Sequence, residues 1–340
     1  MLTLRRLILA AFGVAALVAT TGSSSQIAVH LIAFQRAAGN SQAIYLVAPD
    51  GTGERLLTRG FAHAWSPDGT RLAFQRYVRG SVTALYVINR DGSGFRRLVA
   101  NIRGAISSGR DFTWSPDGRK LAFSIYRVPS GGPGIGVIGA DGKGLRRLTR
   151  GEDKTPTWAP DGSRIAVSRF TGTYELVSVM ANGSAERVLP IGVDNTQYPA
   201  WSPDGRKIAF QAGGVLPLSW DIYVANADGS GAANLTRSSV PDDTYAQWSP
   251  DGRWIAFEST IRRFTDVHTM GADGTRHRNL TRGPRSDESP SWSPDGRSIA
   301  FSSVRDGNLD VYVMTAAGRN PTNLTNNAVG TRNSAPAWSP

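Results

Sequence analysis

The sequence predicts an all-β fold: a seven-bladed β-propeller with four antiparallel strands per blade. Three observations carry this. The pentapeptide Trp201-Ser202-Pro203-Asp204-Gly205 recurs almost verbatim, opening copies at Trp65, Trp114, Trp158, Trp201, Trp248 and Trp292, with a last, incomplete copy at Trp338. The copies lie 43 to 49 residues apart, a period typical of repeat architectures. A second signal, Ile/Leu-Ala-Phe, begins at Ile32, Leu72, Leu121, Ile208, Ile255 and Ile299, with Ile165-Ala166-Val167 as a variant. Finally, no stretch past the first 25 residues shows a helical period.

Each element follows from local chemistry. In the copy around Trp201 the first strand covers 198–201 and the second 207–210, with Ile208 and Phe210 on one face. Between them, Pro203 suits an early turn position, and Asp204-Gly205 supplies the tight end that needs positive φ. The third strand covers 221–224 and runs into Asp228-Gly229, a second hairpin signal repeated at Asp50, Asp91, Asp141 and Asp273. A short fourth strand, 233–236, ends the unit. Four such strands per period describe a propeller blade.

The two ends of the chain predict how the ring closes. The first Ile32-Ala33-Phe34 has no preceding Trp-Ser-Pro-Asp-Gly, and Trp338-Ser339-Pro340 has no following second strand. Residues 335–338 align with 198–201 and are expected to form the innermost strand of the blade begun at Leu31. That closure removes the open sheet edges of an arc and makes 28–340 one complete domain. Ahead of it, Arg5-Arg6, an apolar run over 7–19 and a small polar segment to Ser25 read as a signal peptide over 1–25, or an N-terminal anchor. Thirteen apolar residues are fewer than the roughly 20 a membrane span needs, so no span is expected beyond this segment.

The set Trp-Ser-Pro-Asp-Gly, Ile-Ala-Phe, Asp-Ile-Tyr-Val and Asn-Leu-Thr resembles the TolB-type propeller repeat over about 31–340. The resemblance implies a stand-alone exported propeller. Similar repeats also occur in the propellers of prolyl-oligopeptidase-like peptidases, so it marks fold more than activity. TolB itself carries an extra α/β domain before a six-bladed propeller, whereas here the signal segment leads almost directly into the repeats.

Composition narrows the function classes. The chain has 340 residues and no Cys, so disulfides, thiolate metal sites and Cys nucleophiles are excluded. Its net charge of +11 comes from Arg and Lys spread along the repeats rather than gathered in a basic tail, so no nucleic-acid partner is expected. No Gly-x-Ser-x-Gly elbow occurs, and the four His residues, His30, His63, His268 and His277, are dispersed. His268 takes the place of Tyr223 and Tyr312 and reads as a packed residue; His63, on a connecting loop before Trp65, is the one expected near a ligand-accessible mouth. Neither cofactor nor metal is expected. The recurrent Asp of Pro-Asp-Gly reads as a turn-internal acceptor.

What differs between repeats points to a site. The links before the Trp residues carry Glu152-Asp153, Asp194, Asp242-Asp243 and Asp287-Glu288, whereas the link before Trp114 carries Arg110. Trp220 ends an apolar loop expected on the same face. These residues, with His63, form the candidate binding face. The competing reading places the acidic residues in the repeat itself, bonding locally. The expectation is therefore a monomeric, non-enzymatic scaffold, extracytoplasmic, that binds a protein, peptide or glycan. The alternatives are a hydrolase or lyase acting at the channel mouth and an accessory propeller of a separate peptidase.

Overall fold

The computed structural model describes residues 30–80, 82–103, 111–125, 132–213, 219–237, 241–326 and 330–340; the leader expected over 1–25 lies outside them. Among the described residues there is no helix, and none therefore long and apolar enough to cross a membrane. The strands form seven four-stranded antiparallel sheets. We label these blades A to G. Blades B to G are contiguous in the chain and cover 61–103, 112–147, 152–188, 197–234, 242–279 and 287–323. Blade A is stitched from both ends, with Thr331–Trp338 pairing against Ile32–Ala38.

The repeated hairpin explains why this sequence turns where it does. In blade E, Ser202 Oγ donates to Asp204 Oδ1 at 2.6 Å, and the same carboxylate oxygen accepts Arg206 N–H at 3.1 Å. Ser202 Oγ in turn accepts Lys207 N–H at 2.9 Å. Gly205 sits at φ 69°, where a Cβ would be strained. The Asp is thus consumed by its own turn, as its recurrence suggests.

The Trp of the motif pins one blade to the next. In five of the seven copies its indole N–H donates to the carbonyl of the residue before the preceding blade's Trp, as in Trp114 to Ala64 and Trp248 to Ala200, both at 3.0 Å; among the described residues Trp158 and Trp338 make no such bond. Trp65 does the same to Ala337 at 3.0 Å, across the closure. Between neighbouring blades lie seven apolar clusters, each drawing on two blades. The one built from Ile32, Phe34 and Val47 with Ala300 and Val311 joins blade A to blade G and completes the ring. Phe34, Phe74, Phe210, Phe257 and Phe301, each in a different one of these clusters, are fully buried, each worth about 1.5–3 kcal/mol by area removed from water.

The Asn-Leu-Thr triplets are structural. Asn234 Nδ2 donates to Asp221 Oδ2 at 2.7 Å and Thr236 Oγ1 to Asp221 Oδ1 at 3.0 Å, while Ile222 N–H donates to Thr236 Oγ1 at 3.1 Å. Asp266 and Asp310 hold Asn279 and Asn323 in the same way. These bonds anchor fourth strands only two residues long.

Candidate functional site

Innermost strands from six blades line a central cavity of about 610 Å³. Its wall is shaped by a bulge three residues before the Trp. Ala62, Thr155, Tyr198, Tyr245, Ser289 and Ala335 all adopt positive φ, between 45° and 59°, and strand register shifts beside each. A left-handed non-Gly residue costs roughly 1–2 kcal/mol, so something must hold it.

The holder is the side chain after Ile-Ala-Phe in the preceding blade. Tyr198 N–H donates to Ser168 Oγ at 3.1 Å, Ala335 N–H to Ser302 Oγ at 3.1 Å, and Tyr245 N–H to Gln211 Oε1 at 3.3 Å. At the next step the acceptor is a carboxylate: Ser289 N–H donates to Glu258 Oε1 at 2.8 Å. Across the seven blades this position holds Gln35, Gln75, Ser124, Ser168, Gln211, Glu258 and Ser302. Glu258 is the one charged member of the ring.

The candidate residues fall into three groups. His63 and Glu288 line the cavity. His63 lies within the innermost strand Phe61–Trp65 rather than on a loop. It is buried, with Nε2 3.1 Å from the Ala33 carbonyl, and burial depresses its pKa from 6.5 to about 4. A neutral ring that meets a carbonyl through Nε2 carries its proton there, which leaves Nδ1 an acceptor without a partner.

Asp153, Asp243 and Asp287 occupy a second environment. All stand five residues before a Trp, and all are nearly fully buried, as are Thr196 and Asn333 at the equivalent places. Asp153 receives a bidentate Arg169, Nε to Oδ1 at 2.7 Å and Nη2 to Oδ2 at 2.9 Å, and Arg169 also meets Glu186. Asp287 accepts Arg305 Nη2 at 3.0 Å, and burial raises its pKa despite that partner. Asp153 and Asp287 thus bond to arginines of their own blades, and Asp243 is buried alike. The remainder are peripheral: Glu152 and Asp194 are exposed, and half-buried Asp242 accepts the backbone N–H of Trp220 at 3.1 Å. Arg110 lies outside the described residues.

Sequence reading did not single out Glu258. The signal was present in the alignment of the seven repeats, as a charge where the others carry Gln or Ser. Of the other His residues, His268 and His277 contact each other on the outer part of blade F, Nδ1 to Nε2 at 2.8 Å. Among the described residues, no three His, Cys, Asp or Glu groups converge to hold a metal ion.

With the architecture established, family assignment rests on the match to the model described as the TolB beta propeller domain, over residues 21–213 and 155–283. The chain belongs to the TolB β-propeller family. Among solved structures it is similar to TolB from Acinetobacter baumannii, at 18% identity and a TM-score of 0.57, covering 92% of this chain and 83% of that one. It is also similar to the β-propeller domain of the Trilobed protease from Pyrococcus furiosus, at 14% identity and a TM-score of 0.66, covering 88% and 96%. An oligogalacturonate lyase from Vibrio parahaemolyticus matches at 14% identity and a TM-score of 0.61, covering 86% and 85%. At these identities the likeness is one of fold. Comparison with curated proteins yields no sequence match. The TolB-type ring here has seven blades and is closed by a sheet from both chain ends.

Proposed function

We propose that this TolB-family propeller is an extracytoplasmic, non-enzymatic binding scaffold whose central channel receives a partner. The observation that carries the reading is the construction of the channel wall. Six blades present bulged segments there, and five of the bulge N–H groups are fastened to the neighbouring blade. A wall set by the ring loses little conformational entropy when a ligand enters, which favours affinity. The volume falls in the range of roughly 300–1,000 Å³ common for ligand pockets. Meanwhile Asp153, Asp287 and the turn Asp residues are committed to local bonds, which fits scaffolding better than acid–base chemistry.

The test is site-specific photocrosslinking in intact cells. A photoreactive residue at Ser291, on the channel wall, is expected to give a discrete adduct. One at Leu56, exposed on the outer edge of blade A, is expected to give none. Adducts from Leu56 with none from Ser291 would move the binding surface to the rim and end the channel reading.

A further inference from the structure

The seams between blades repeat one another, so a departure at one seam is informative. Opposite the Ala of each Ile-Ala-Phe strand, the third strand places one residue toward the next blade. In five blades it is aliphatic, Leu46, Val87, Val137, Val224 and Val313; blade F has Thr269 and blade D has Ser178. Leu46, Val87, Val137 and Val224 belong to the apolar clusters of their seams. Where Ser178 takes that place, a cavity of about 490 Å³ lies between blades D and E. Ser178 lines it and is 2% exposed, and among the described residues its hydroxyl has no hydrogen-bond partner. A buried hydroxyl left unsatisfied is costly, so the cavity calls for a polar group.

Two arginines of the same seam also differ from their counterparts. Paired with the residue just described, the fourth strands of blades A to D carry Arg55, Arg96, Arg146 and Arg187. The first three donate across the seam to turn carbonyls of the next blade: Arg55 to Arg90 at 2.6 Å, Arg96 to Asp141 at 2.9 Å and Arg146 to Asn182 at 2.7 Å. Arg71, six residues after Trp65, donates to the Gly118 carbonyl at 2.8 Å, and its Cζ lies 5.0 Å from the centre of the Trp114 ring. Arg164 stands six residues after Trp158. Among the described residues neither Arg164 nor Arg187 makes such a bond; each interacts electrostatically with a nearby carboxylate, Asp161 and Asp228 respectively. Both line the cavity beside the Trp201 indole, which is half-buried where Trp114 is buried.

We propose that the seam between blades D and E is a second binding site, for a small organic monocarboxylate with a flat aromatic body. The arginines take the carboxylate, Trp201 packs against the ring, and Ser178 Oγ hydrogen-bonds to the ligand at depth. Four carboxylates also line the cavity, those of Asp161, Glu186, Asp204 and Asp228. They are already engaged: the three Asp accept from Ser163, Ser202 and Ser230 in their own turns, and Glu186 pairs with Arg169. What the arginines offer is N–H donors, up to five per guanidinium. The ligand must therefore bring acceptors, and a carboxylate makes the charge-assisted, bidentate bonds that suit a guanidinium. The four carboxylates disfavour a dianion such as a phosphate monoester. The site shares no lining residue with the central channel among the described residues, and does not depend on the channel reading.

Calorimetric titration of the full chain tests the assignment, with naphthoate, its neutral amide naphthamide, and naphthyl phosphate as probes. Naphthoate is expected to bind at least about tenfold more tightly than the other two. Ser178→Val recreates the residue of blades B, C, E and G and fills the cavity. It is expected to weaken naphthoate binding at least about tenfold, with stability in urea undiminished. Arg187→Ala recreates Ala233 of blade E and is expected to reduce the preference for naphthoate over naphthamide. Absence of naphthoate binding to the parent chain, equal affinity for acid and amide, tighter binding of the phosphate, or unchanged binding in Ser178→Val each overturns the assignment. Should Ser178→Val fail to fold, Arg187→Ala decides, and an undiminished preference for the acid overturns it. Adducts at Ser291 are independent of all these outcomes, so the channel reading stands or falls separately.

Discussion

Ser339 and Leu31, 308 positions apart in the chain, are joined by two hydrogen bonds: Leu31 N–H donates to Ser339 Oγ at 2.8 Å, and Ser339 N–H donates to the Leu31 carbonyl at 2.7 Å. Within blade E the same two bonds connect Ser202 and Lys207, each at 2.9 Å. The ring therefore closes by rebuilding across the chain ends the hairpin that each inner repeat makes locally. Ser339 is fully buried, so Ser339→Ala leaves Leu31 N–H without its acceptor, at a cost of about 1–3 kcal/mol. Urea unfolding of Ser339→Ala beside Ser202→Ala should show losses of similar size. A silent Ser339→Ala with a costly Ser202→Ala would contradict a structural closing copy.

His63 makes stability depend on pH with a definite sign. Its pKa, 6.5 when unfolded, falls to about 4 in the folded ring because burial disfavours the charged form, with the Ala33 carbonyl opposing in part. Between those values the unfolded chain binds the extra proton, so the contribution is full above about pH 6.5 and is lost as pH falls toward 4. One proton corresponds to about 1.4 kcal/mol per pH unit, or about 3 kcal/mol across the window as an order of magnitude. His268 shifts in the same direction, to about 4, by burial and then by the charges of His277 and Arg282. His63→Ala, matching Ala246 of blade F, should reduce the slope of unfolding free energy against pH by one proton. An unchanged slope would show that His63 is not buried neutral.

Arg169 and Asp153 form a pair whose two members are unequally hidden, with side chains 15% and 0% exposed. Arg169→Met strands a buried carboxylate, and should cost about 3–5 kcal/mol. Glu186, Arg169's other partner, is 39% exposed, so Glu186→Gln should cost less than about 1 kcal/mol. Thermal and urea unfolding of both variants check this; a cost below that of Glu186→Gln for Arg169→Met would refute the buried pairing of Asp153 with Arg169.

Blade number, strand order and closure were legible in the chain because they depend on local turn chemistry repeated at a fixed period. Ser202, Asp204 and Gly205 act within five residues of one another, and their roles are visible without knowing the fold. The direction of the acidic residues was not legible. Asp153, Asp243 and Asp287 lie two residues ahead of the positive-φ residues Thr155, Tyr245 and Ser289, and a bulge there breaks the alternation by which a strand's inner and outer faces are counted. Hence Asp287 turns inward while Glu288 lines the channel. Glu258 is a different case. Its environment comes from Ser289, 31 residues on, and only assembly of blades F and G shows that its carboxylate borders the cavity.

The central claim, that the channel is where this propeller binds, is tested most directly by filling it. Ala200 lines the cavity and is half-buried, so Ala200→Trp narrows the lumen while Phe210 and Ile208 keep the blade core intact. The measurement is partner affinity of Ala200→Trp relative to the parent chain, with an unfolding curve confirming the ring. A drop of at least about tenfold in a folded variant, the loss of one well-buried contact of about 1.4 kcal/mol or more, is the predicted result. Undiminished affinity in a folded Ala200→Trp ring would contradict the claim.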